Sequence, residues 1–166
     1  MKNLAIVIPV FNEEKTVEKV VLSWSKVLAQ NEFDIILIND GSTDNTQKIL
    51  LDLDDKIKNL VLINKENEGH GFTIVKGYQY AVDKNYSYIF QTDSDDQFSP
   101  KDFEKFWIRR EKLNEVDIIM GSRKNRNDPI IRIFLSKVIL RIILKLFFGK
   151  NLVDPNIPYR LMSKTF

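Results

Sequence analysis

Short apolar runs that alternate with longer amphipathic segments are the strongest constraint on the fold. The runs are nearly uninterrupted, which is typical of strands buried on both faces of a sheet. The segments between them carry apolar residues at helical spacing. This order predicts an α/β fold with a doubly wound, mostly parallel sheet and helices on both faces. The predicted strands are residues 4–10, 35–38, 60–63, 86–90 and 116–120, and the predicted helices are residues 13–30, 42–53, 71–83 and 100–113.

Length and composition describe an ordinary globular domain. Of the 166 residues, 43% are hydrophobic and 29% are charged, which excludes a disordered chain and a stack of membrane spans. The sequence has no cysteine, so disulfides and thiolate metal sites are excluded. The N-terminus shows no signal-peptide pattern. We therefore expect one domain over residues 1–166 in a reducing compartment, the cytoplasm.

Acidic residues follow two of the predicted strands. Asp40 comes after the second strand, and Asp93 and Asp95 come after the fourth. Asp93 and Asp95 are two residues apart, so on an extended segment their side chains leave the same face. Neighbouring carboxylates repel each other unless a cation lies between them, and hard oxygen ligands suit Mg²⁺ or Mn²⁺. An acidic turn between a strand and a helix is the alternative.

The positions of these acids exclude other ligand-binding α/β classes. No G-x-G-x-x-G motif follows the first strand, and the sequence has no P-loop. Pro9 stands where a phosphotransfer or nucleophilic Asp would be expected. In open α/β sheets ligands bind beyond the carboxyl ends of the strands. A ligand with one polar end near Asp40 and a phosphate–metal end near Asp93 and Asp95 fits this layout, and a nucleoside diphosphate has that shape.

Five motifs carry a resemblance to a known family, and they run in order along nearly the whole chain: VIPVFNEEKTV, INDGSTDNT, NEGHGF, QTDSDDQFSP and GSR. Together they resemble family 2 glycosyltransferases of the GT-A fold. The later segment with Arg132, Ser136 and residues 154–161 is similar to the polyprenyl-phosphate branch. That branch includes dolichol-phosphate mannose synthases and bacterial undecaprenyl-phosphate sugar transferases.

The resemblance implies roles for residues at the donor end of the site. Asp40 matches the Asp that hydrogen-bonds the base. Asp93 and Asp95 match the two D-x-D carboxylates, and Gln97 matches an additional metal contact. The positions around the nucleoside are Pro9, Phe11 and Glu13. For Glu13 the alternative is stabilisation of a helix N-terminus through the helix dipole.

The resemblance also implies phosphate contacts, with two departures from the family pattern. The positions that would hold donor or acceptor phosphates are Arg123, Arg132, Ser136 and Arg160. Residues 158–160 replace the usual small-Gly-aromatic-Arg sequence, which affects the acceptor contacts. His70 stands where the family more often has Lys, and we expect it to be a surface loop residue. Asp96 is expected to be a solvated neighbour of the metal pair.

The implied reaction is inverting transfer of a sugar from a UDP- or GDP-sugar to a polyprenyl phosphate, with the ion and arginines stabilising the departing nucleoside diphosphate. An ionised phosphate acceptor needs no general base. One alternative is a sugar hydroxyl acceptor in cell-surface polysaccharide synthesis, for which Asp154 would take the proton. Another is an incomplete nucleotide-binding or membrane-associated domain without turnover. Family members continue beyond Phe166, so we expect the chain to be C-terminally shortened.

Charge is unevenly distributed between the two parts of the chain. Residues 1–122 carry 15 Lys and Arg against 21 Asp and Glu, whereas residues 123–166 carry 10 against 2. Within the basic part, residues 129–149 predict an amphipathic helix that is too interrupted by charge to span a membrane. No nucleic-acid-binding motif accompanies the charge. The expected partners are therefore a nucleotide sugar, an acceptor and a membrane surface, with a homo-oligomer left open.

The predicted helix at residues 129–149 presents two polar faces. Arg132 and Ser136 share one face, and Lys137, Arg141 and Lys145 share the opposite one. One helix could thus offer Arg132 and Ser136 to a phosphate while the other cations meet lipid headgroups. This arrangement predicts a peripheral location at the inner face of the cell membrane. A packed helix with a solvated basic stripe is the alternative.

Replacement of Lys137, Arg141 and Lys145 by Glu tests the membrane-surface helix. Each cation near an anionic surface contributes about 1 kcal/mol, so reversal of three charges should abolish binding to anionic liposomes. Co-sedimentation of the purified protein with such liposomes measures the effect. Unchanged binding by the triple variant, or no binding by the original protein, would contradict the hypothesis.

Overall fold

The structure is a computed structural model that describes residues 3–27, 33–110, 118–121 and 157–164. The chain divides into two compact units, Met1–Ile119 with Tyr159–Phe166, and Met120–Pro158. The sheet core and the cavity described below belong to the first unit. The predicted helix at residues 129–149 lies outside the described residues. Among the helices that the structure describes, none has both the length and the apolarity that crossing a bilayer requires.

Strands and helices alternate in the described part of the chain, as the sequence predicts. A short 3-10 turn at Pro100–Asp102 precedes the fourth helix. The elements in chain order are β1 (Leu4–Val10), α1 (Val17–Val27), β2 (Phe33–Asp40), α2 (Thr46–Asp54), β3 (Leu60–Lys65), α3 (His70–Asp83), β4 (Tyr88–Gln91), α4 (Phe103–Trp107), β5 (Ile118–Met120) and β6 (Arg160–Ser163).

These strands form one mostly parallel sheet. Its order is β3-β2-β1-β4-β6-β5, with the first strand near the centre. β1 pairs in parallel with both β2 and β4, and β2 pairs in parallel with β3. β6 pairs antiparallel with β4, with Gln91 opposite Arg160. The predicted doubly wound, mostly parallel sheet is confirmed, and β6 is an additional strand that the sequence patterns did not reveal.

The two faces of the sheet are covered by different helices. Every residue of β1 and β2 is buried, as their continuous apolar runs predict. On one face Ile89 of β4 belongs to a core cluster with Ala81 of α3. On the other face Phe90 packs against Trp24 of α1, with ring centroids 5.5 Å apart. Because neighbouring residues of a strand point to opposite faces, α1 and α3 lie on opposite sides of the sheet.

Three of the predicted helices begin too early, whereas α3 begins at His70, one residue before its predicted start. α1 begins at Val17 instead of residue 13, because residues 13–16 form a turn in which the N–H groups of Thr16 and Val17 both donate to the Glu13 carbonyl. α2 begins at Thr46, with Asn45 as its N-cap, instead of at the predicted residue 42. Ser42 is engaged by the loop after β1, which the sequence pattern does not show. The predicted helix at residues 100–113 is shorter in the described residues and ends at Trp107.

Gly77 allows α3 to approach the sheet closely. A Cβ atom at this position would lie 2.4 Å from Val7 Cγ1 and 2.8 Å from Ile38 Cδ1. Both neighbours belong to central strands and are fully buried, so neither side chain can move aside without disturbing the core. The helix–sheet spacing therefore depends on a residue without a side chain.

We predict that Gly77→Ala lowers the free energy of unfolding by about 2 kcal/mol, because overpacking of the core outweighs the better helix propensity of Ala. Gly71→Ala is the matched control in the same helix, since no atom lies within 4 Å of the added Cβ. The control should be neutral or slightly stabilised. Urea denaturation measures both variants, and equal stability of the two would contradict the packing argument.

Candidate functional site

A cavity of about 400 Å³ opens at the carboxyl ends of the central strands. This volume lies within the range of small-molecule binding sites, and the location is the one expected for ligands in open α/β sheets. The structure brings six of the sequence-predicted residues together in its lining: Pro9, Phe11, Glu13, Asp40, Asp93 and Asp95.

Asp40 ends β2 and organises one side of the cavity. Asp40 is buried, with 3% of its surface exposed. Oδ1 accepts hydrogen bonds from Lys65 Nζ at 2.5 Å and from the N–H of Glu68 at 3.0 Å, and Oδ2 accepts from the N–H of Gly69 at 3.1 Å. One carboxylate thus joins the ends of two strands to the loop that leads into α3.

Asp40 and Lys65 form an ion pair that is charged at neutral pH. Burial acts to raise the pKa of Asp40, but hydrogen bonds from Lys65, Glu68 and Thr73 outweigh it and hold the pKa below the usual 3.8. Burial likewise acts to lower the pKa of Lys65, and the bonds to Asp40 and Glu68 raise it above the usual 10.5. In both directions of shift, the hydrogen bonds favour the ionised form, the carboxylate of Asp40 and the ammonium group of Lys65.

Gly41 brings the loop after β2 against the loop after β3. Its φ of +66° lies in the left-handed region that favours glycine. An added Cβ would lie 2.8 Å from the backbone nitrogen of Asn67, which lines the cavity. Any side chain at Gly41 would therefore push Asn67 out of place.

The loop after β1 is held by hydrogen bonds to the loop after β2. The Asn12 side chain accepts from the N–H of Thr43 at 2.8 Å, and the N–H of Glu13 donates to Thr46 Oγ1 at 2.8 Å. The Glu13 carboxylate accepts from the Thr16 hydroxyl at 2.5 Å. These bonds position Glu13 in the cavity lining, to which Phe11, a residue that is 46% exposed, also belongs.

The acidic loop after β4 is fixed through Ser94. The Ser94 hydroxyl is buried and donates to the Pro9 carbonyl at 3.0 Å, which joins this loop to the end of β1. Asp93 and Asp95 flank Ser94, and both line the cavity. Asp96 has a φ of +60° and forms an ion pair with Lys19, so its carboxylate is held by a surface partner.

Asp93 and Asp95 are suited to a divalent cation that receives only part of its coordination from the protein. Within residues 3–27, 33–110, 118–121 and 157–164, no group of three or more His, Cys, Asp or Glu could hold a metal ion. Two carboxylates facing a cavity suit Mg²⁺ or Mn²⁺ that takes its other ligands from phosphate and water. Gln97 does not line the cavity; its side chain is exposed, and its N–H donates to Asp95 at 3.1 Å.

His70 lines the cavity next to the acidic loop. His70 was predicted to lie in a surface loop, but it is the first residue of helix α3, so the prediction of a loop is wrong. Its side chain is 63% exposed, and Nε2 lies 3.8 Å from Asp93 Oδ1. The sequence reasoning did not assign the other lining residues, although each lies within a quoted motif or directly follows one: Val10, Asn67, Gly69, Thr73 and Ser94.

Arg160 lies outside the cavity lining, in the strand that pairs with β4. It faces Gln91 across the β4–β6 pair, and the Tyr78 hydroxyl donates to Gln91 Oε1. Burial raises the pKa of Tyr78 to about 12, with Arg160 acting to lower it and Asp93 to raise it. The other predicted residues of the phosphate and acceptor sites, Arg123, Arg132, Ser136 and Asp154, lie outside the described residues.

We predict that Asp40→Asn lowers the free energy of unfolding by about 3 kcal/mol at pH 7, because it leaves Lys65, whose side chain is 10% exposed, without its buried anion. The folded-state pKa of Asp40 is depressed, so its contribution is present above about pH 4 and is lost as the pH falls through the folded-state value.

Chemical denaturation between pH 7 and pH 3 measures this effect. The difference between the original protein and Asp40→Asn should shrink below about pH 4. Asp96→Asn is the control, because its partly exposed ion pair with Lys19 contributes less than about 1 kcal/mol. A difference that is independent of pH would contradict the role of the Asp40 charge.

Comparison with known sequences identifies a family and several relatives. Residues 5–164 match the family described as "Glycosyl transferase family 2". An uncharacterized protein of Methanocaldococcus jannaschii, MJ0544, is 40% identical over 129 residues, covering 76% of this chain and 54% of that protein. Undecaprenyl-phosphate 4-deoxy-4-formamido-L-arabinose transferase of Photorhabdus laumondii is 30% identical over 87% of this chain and 44% of its own length. The chain thus spans about half the length of these relatives.

Comparison with solved structures concerns the fold. Glucosyl-3-phosphoglycerate synthase from Mycobacterium tuberculosis, in complex with Mn²⁺, UDP-glucose and glycerol 3-phosphate, superposes with a TM-score of 0.73 at 16% identity, covering 99% of this chain and 57% of that one. The same enzyme in complex with UDP gives a TM-score of 0.71 at 18% identity. At this identity the likeness establishes the GT-A architecture. With the family match over residues 5–164, the chain belongs to glycosyltransferase family 2.

Proposed function

We propose that the protein is an inverting glycosyltransferase that moves a sugar from a nucleotide-diphosphate sugar to a polyprenyl phosphate. The observation that carries the proposal is one cavity lined by Asp40 on one side and by Asp93 and Asp95 on the other. The family match supports glycosyl transfer. Relatives named as undecaprenyl-phosphate and dolichyl-phosphate sugar transferases support a polyprenyl-phosphate acceptor.

The donor would lie along the carboxyl edge of the sheet. Its base would meet Asp40, and its nucleoside would lie among Pro9, Phe11 and Glu13. The exposed ring of Phe11 offers an apolar surface for the nucleoside, and Glu13 offers a carboxylate that Thr16 already orients. The diphosphate would then reach the acidic loop.

Asp93 and Asp95 would hold one Mg²⁺ or Mn²⁺ ion, with Gln97 as a further contact. When bound, the ion supplies positive charge that stabilises the departing nucleoside diphosphate. Ser94 holds the acidic loop against β1 through its bond to the Pro9 carbonyl, so the two carboxylates are positioned before the donor arrives. Arg123 would add positive charge at the leaving group.

The acceptor would be an ionised lipid phosphate, for which no general base is needed. A phosphate oxygen forms a bond to the anomeric carbon as the bond from that carbon to the diphosphate breaks, and the configuration inverts. Arg132, Ser136 and Arg160 would contact phosphate groups. We place the protein at the inner face of the cell membrane, held by the basic segment at residues 129–149. For a sugar hydroxyl acceptor, Asp154 would be the general base.

We predict that Asp95→Ala lowers sugar transfer at least about 100-fold, because the leaving group loses the positive charge that the carboxylate holds in place. The assay incubates the purified protein with UDP- and GDP-sugars, undecaprenyl phosphate and Mn²⁺, and detects the lipid-linked sugar by mass spectrometry. Chelation of the metal should abolish transfer by the original protein.

Asp96→Asn is the matched control for Asp95→Ala. Asp96 is adjacent in sequence but pairs with Lys19, so this variant should keep its activity. Normal transfer by Asp95→Ala would refute the site assignment. If the original protein binds the nucleotide but transfers sugar to no acceptor, the alternative of a nucleotide-binding domain without catalytic activity would be favoured.

A further inference from the structure

We infer that the base end of the cavity selects uracil or thymine over guanine, and that Lys65 sets this preference by occupying Asp40. The inference rests on the proposed function, since it concerns which nucleotide sugar the same cavity takes. It follows from the number of hydrogen-bond positions that remain on the Asp40 carboxylate.

An ionised carboxylate offers about four acceptor positions, two on each oxygen. Both positions on Oδ1 of Asp40 are taken, by Lys65 Nζ at 2.5 Å and by the N–H of Glu68 at 3.0 Å. Oδ2 accepts one bond, from the N–H of Gly69 at 3.1 Å. One acceptor position on Oδ2 is therefore left for a ligand.

The Thr73 hydroxyl is a further polar group that acts on the Asp40 carboxylate. It donates to the Gly69 carbonyl at 3.0 Å, and it helps to hold the pKa of Asp40 low. A hydroxyl has a single proton, so it serves one acceptor at a time. When Thr73 bonds to the Gly69 carbonyl, the free position on Asp40 is open to a base in the cavity, which Thr73 also lines.

Lys65 cannot readily release Oδ1. An ammonium group has three protons, and those of Lys65 are engaged by Asp40 at 2.5 Å, by the Glu66 carbonyl at 2.6 Å and by Glu68 Oε2 at 3.0 Å. Its side chain is 10% exposed, so movement away from Asp40 would leave two charges with little access to water. The other donor to Oδ1, the N–H of Glu68, belongs to the backbone.

One open acceptor position matches an imide edge. Uracil and thymine present a single N–H between two carbonyl groups. Guanine presents two adjacent N–H groups, which pair with a carboxylate only when both of its oxygens are free. With Oδ1 occupied, guanine would leave one of its N–H groups unpaired next to Asp40, which is 3% exposed. This should weaken guanine binding about tenfold or more.

Calorimetric titration of the protein with UDP, dTDP and GDP in the presence of MnCl₂ tests the inference. We expect UDP or dTDP to bind at least about tenfold more tightly than GDP. Comparison of the UDP and dTDP titrations shows whether uracil or thymine is preferred. Lys65→Met frees a second position on Oδ1, so the ratio of UDP to GDP affinity should fall about fivefold or more. A loss of structure would weaken both nucleotides together and leave the ratio unchanged.

Glu68→Gln is the matched control. It removes an ionic contact of Lys65 but keeps the backbone N–H that donates to Asp40, so the affinity ratio should stay as in the original protein. If Lys65→Met fails to fold, the ratio of UDP to GDP affinity in the original protein still tests the preference for uracil over guanine. GDP binding as tight as UDP binding would overturn this inference alone, whereas no binding of any of the three nucleotides would overturn the proposed function as well.

Discussion

The buried ion pair between Asp40 and Lys65 is the interaction on which the site depends. It stands at the carboxyl ends of two paired strands, and the same carboxylate holds the N–H groups of Glu68 and Gly69. Such a pair gives little net stability over an apolar core, but removal of one partner is costly because the other charge stays buried. The pair therefore acts mainly as a constraint on geometry, placing the loop before α3 along the cavity.

The remaining cavity walls are attached to the sheet in a similar way, by few but well-placed hydrogen bonds. Asn12 joins the loops after β1 and β2, and the Ser94 hydroxyl joins the acidic loop to the Pro9 carbonyl. Loops that line a ligand site carry polar backbone groups that must be paired when water is excluded. Short side chains such as Asn and Ser satisfy those groups locally, and Asp93 and Asp95 line the cavity beside them.

Much of this architecture could be predicted from the sequence, because continuous apolar runs specify buried strands whatever the tertiary context. The alignment of Asp40 with Asp93 and Asp95 at one edge followed from strand order alone. The helix starts could not be predicted: Ser42 is a good N-cap residue, yet the N–H of Asn12 donates to its hydroxyl across 30 positions of sequence. The contact between Lys65 and Asp40 Oδ1 was equally hidden, since it depends on the register between two strands.

The antiparallel strand β6 has a consequence for how the chain reaches its native state. β6 lies between β4 and β5, so residues 118–120 join the sheet through a segment that is synthesised some forty positions later. Until residues 160–163 have emerged and inserted, the outer edge of β4 exposes unpaired backbone groups that could pair with another chain. Pairing across such a large sequence separation is slow compared with formation of the β1–β4 core. Folding should thus finish on the side of the sheet that β6 and β5 form, after the centre is already paired.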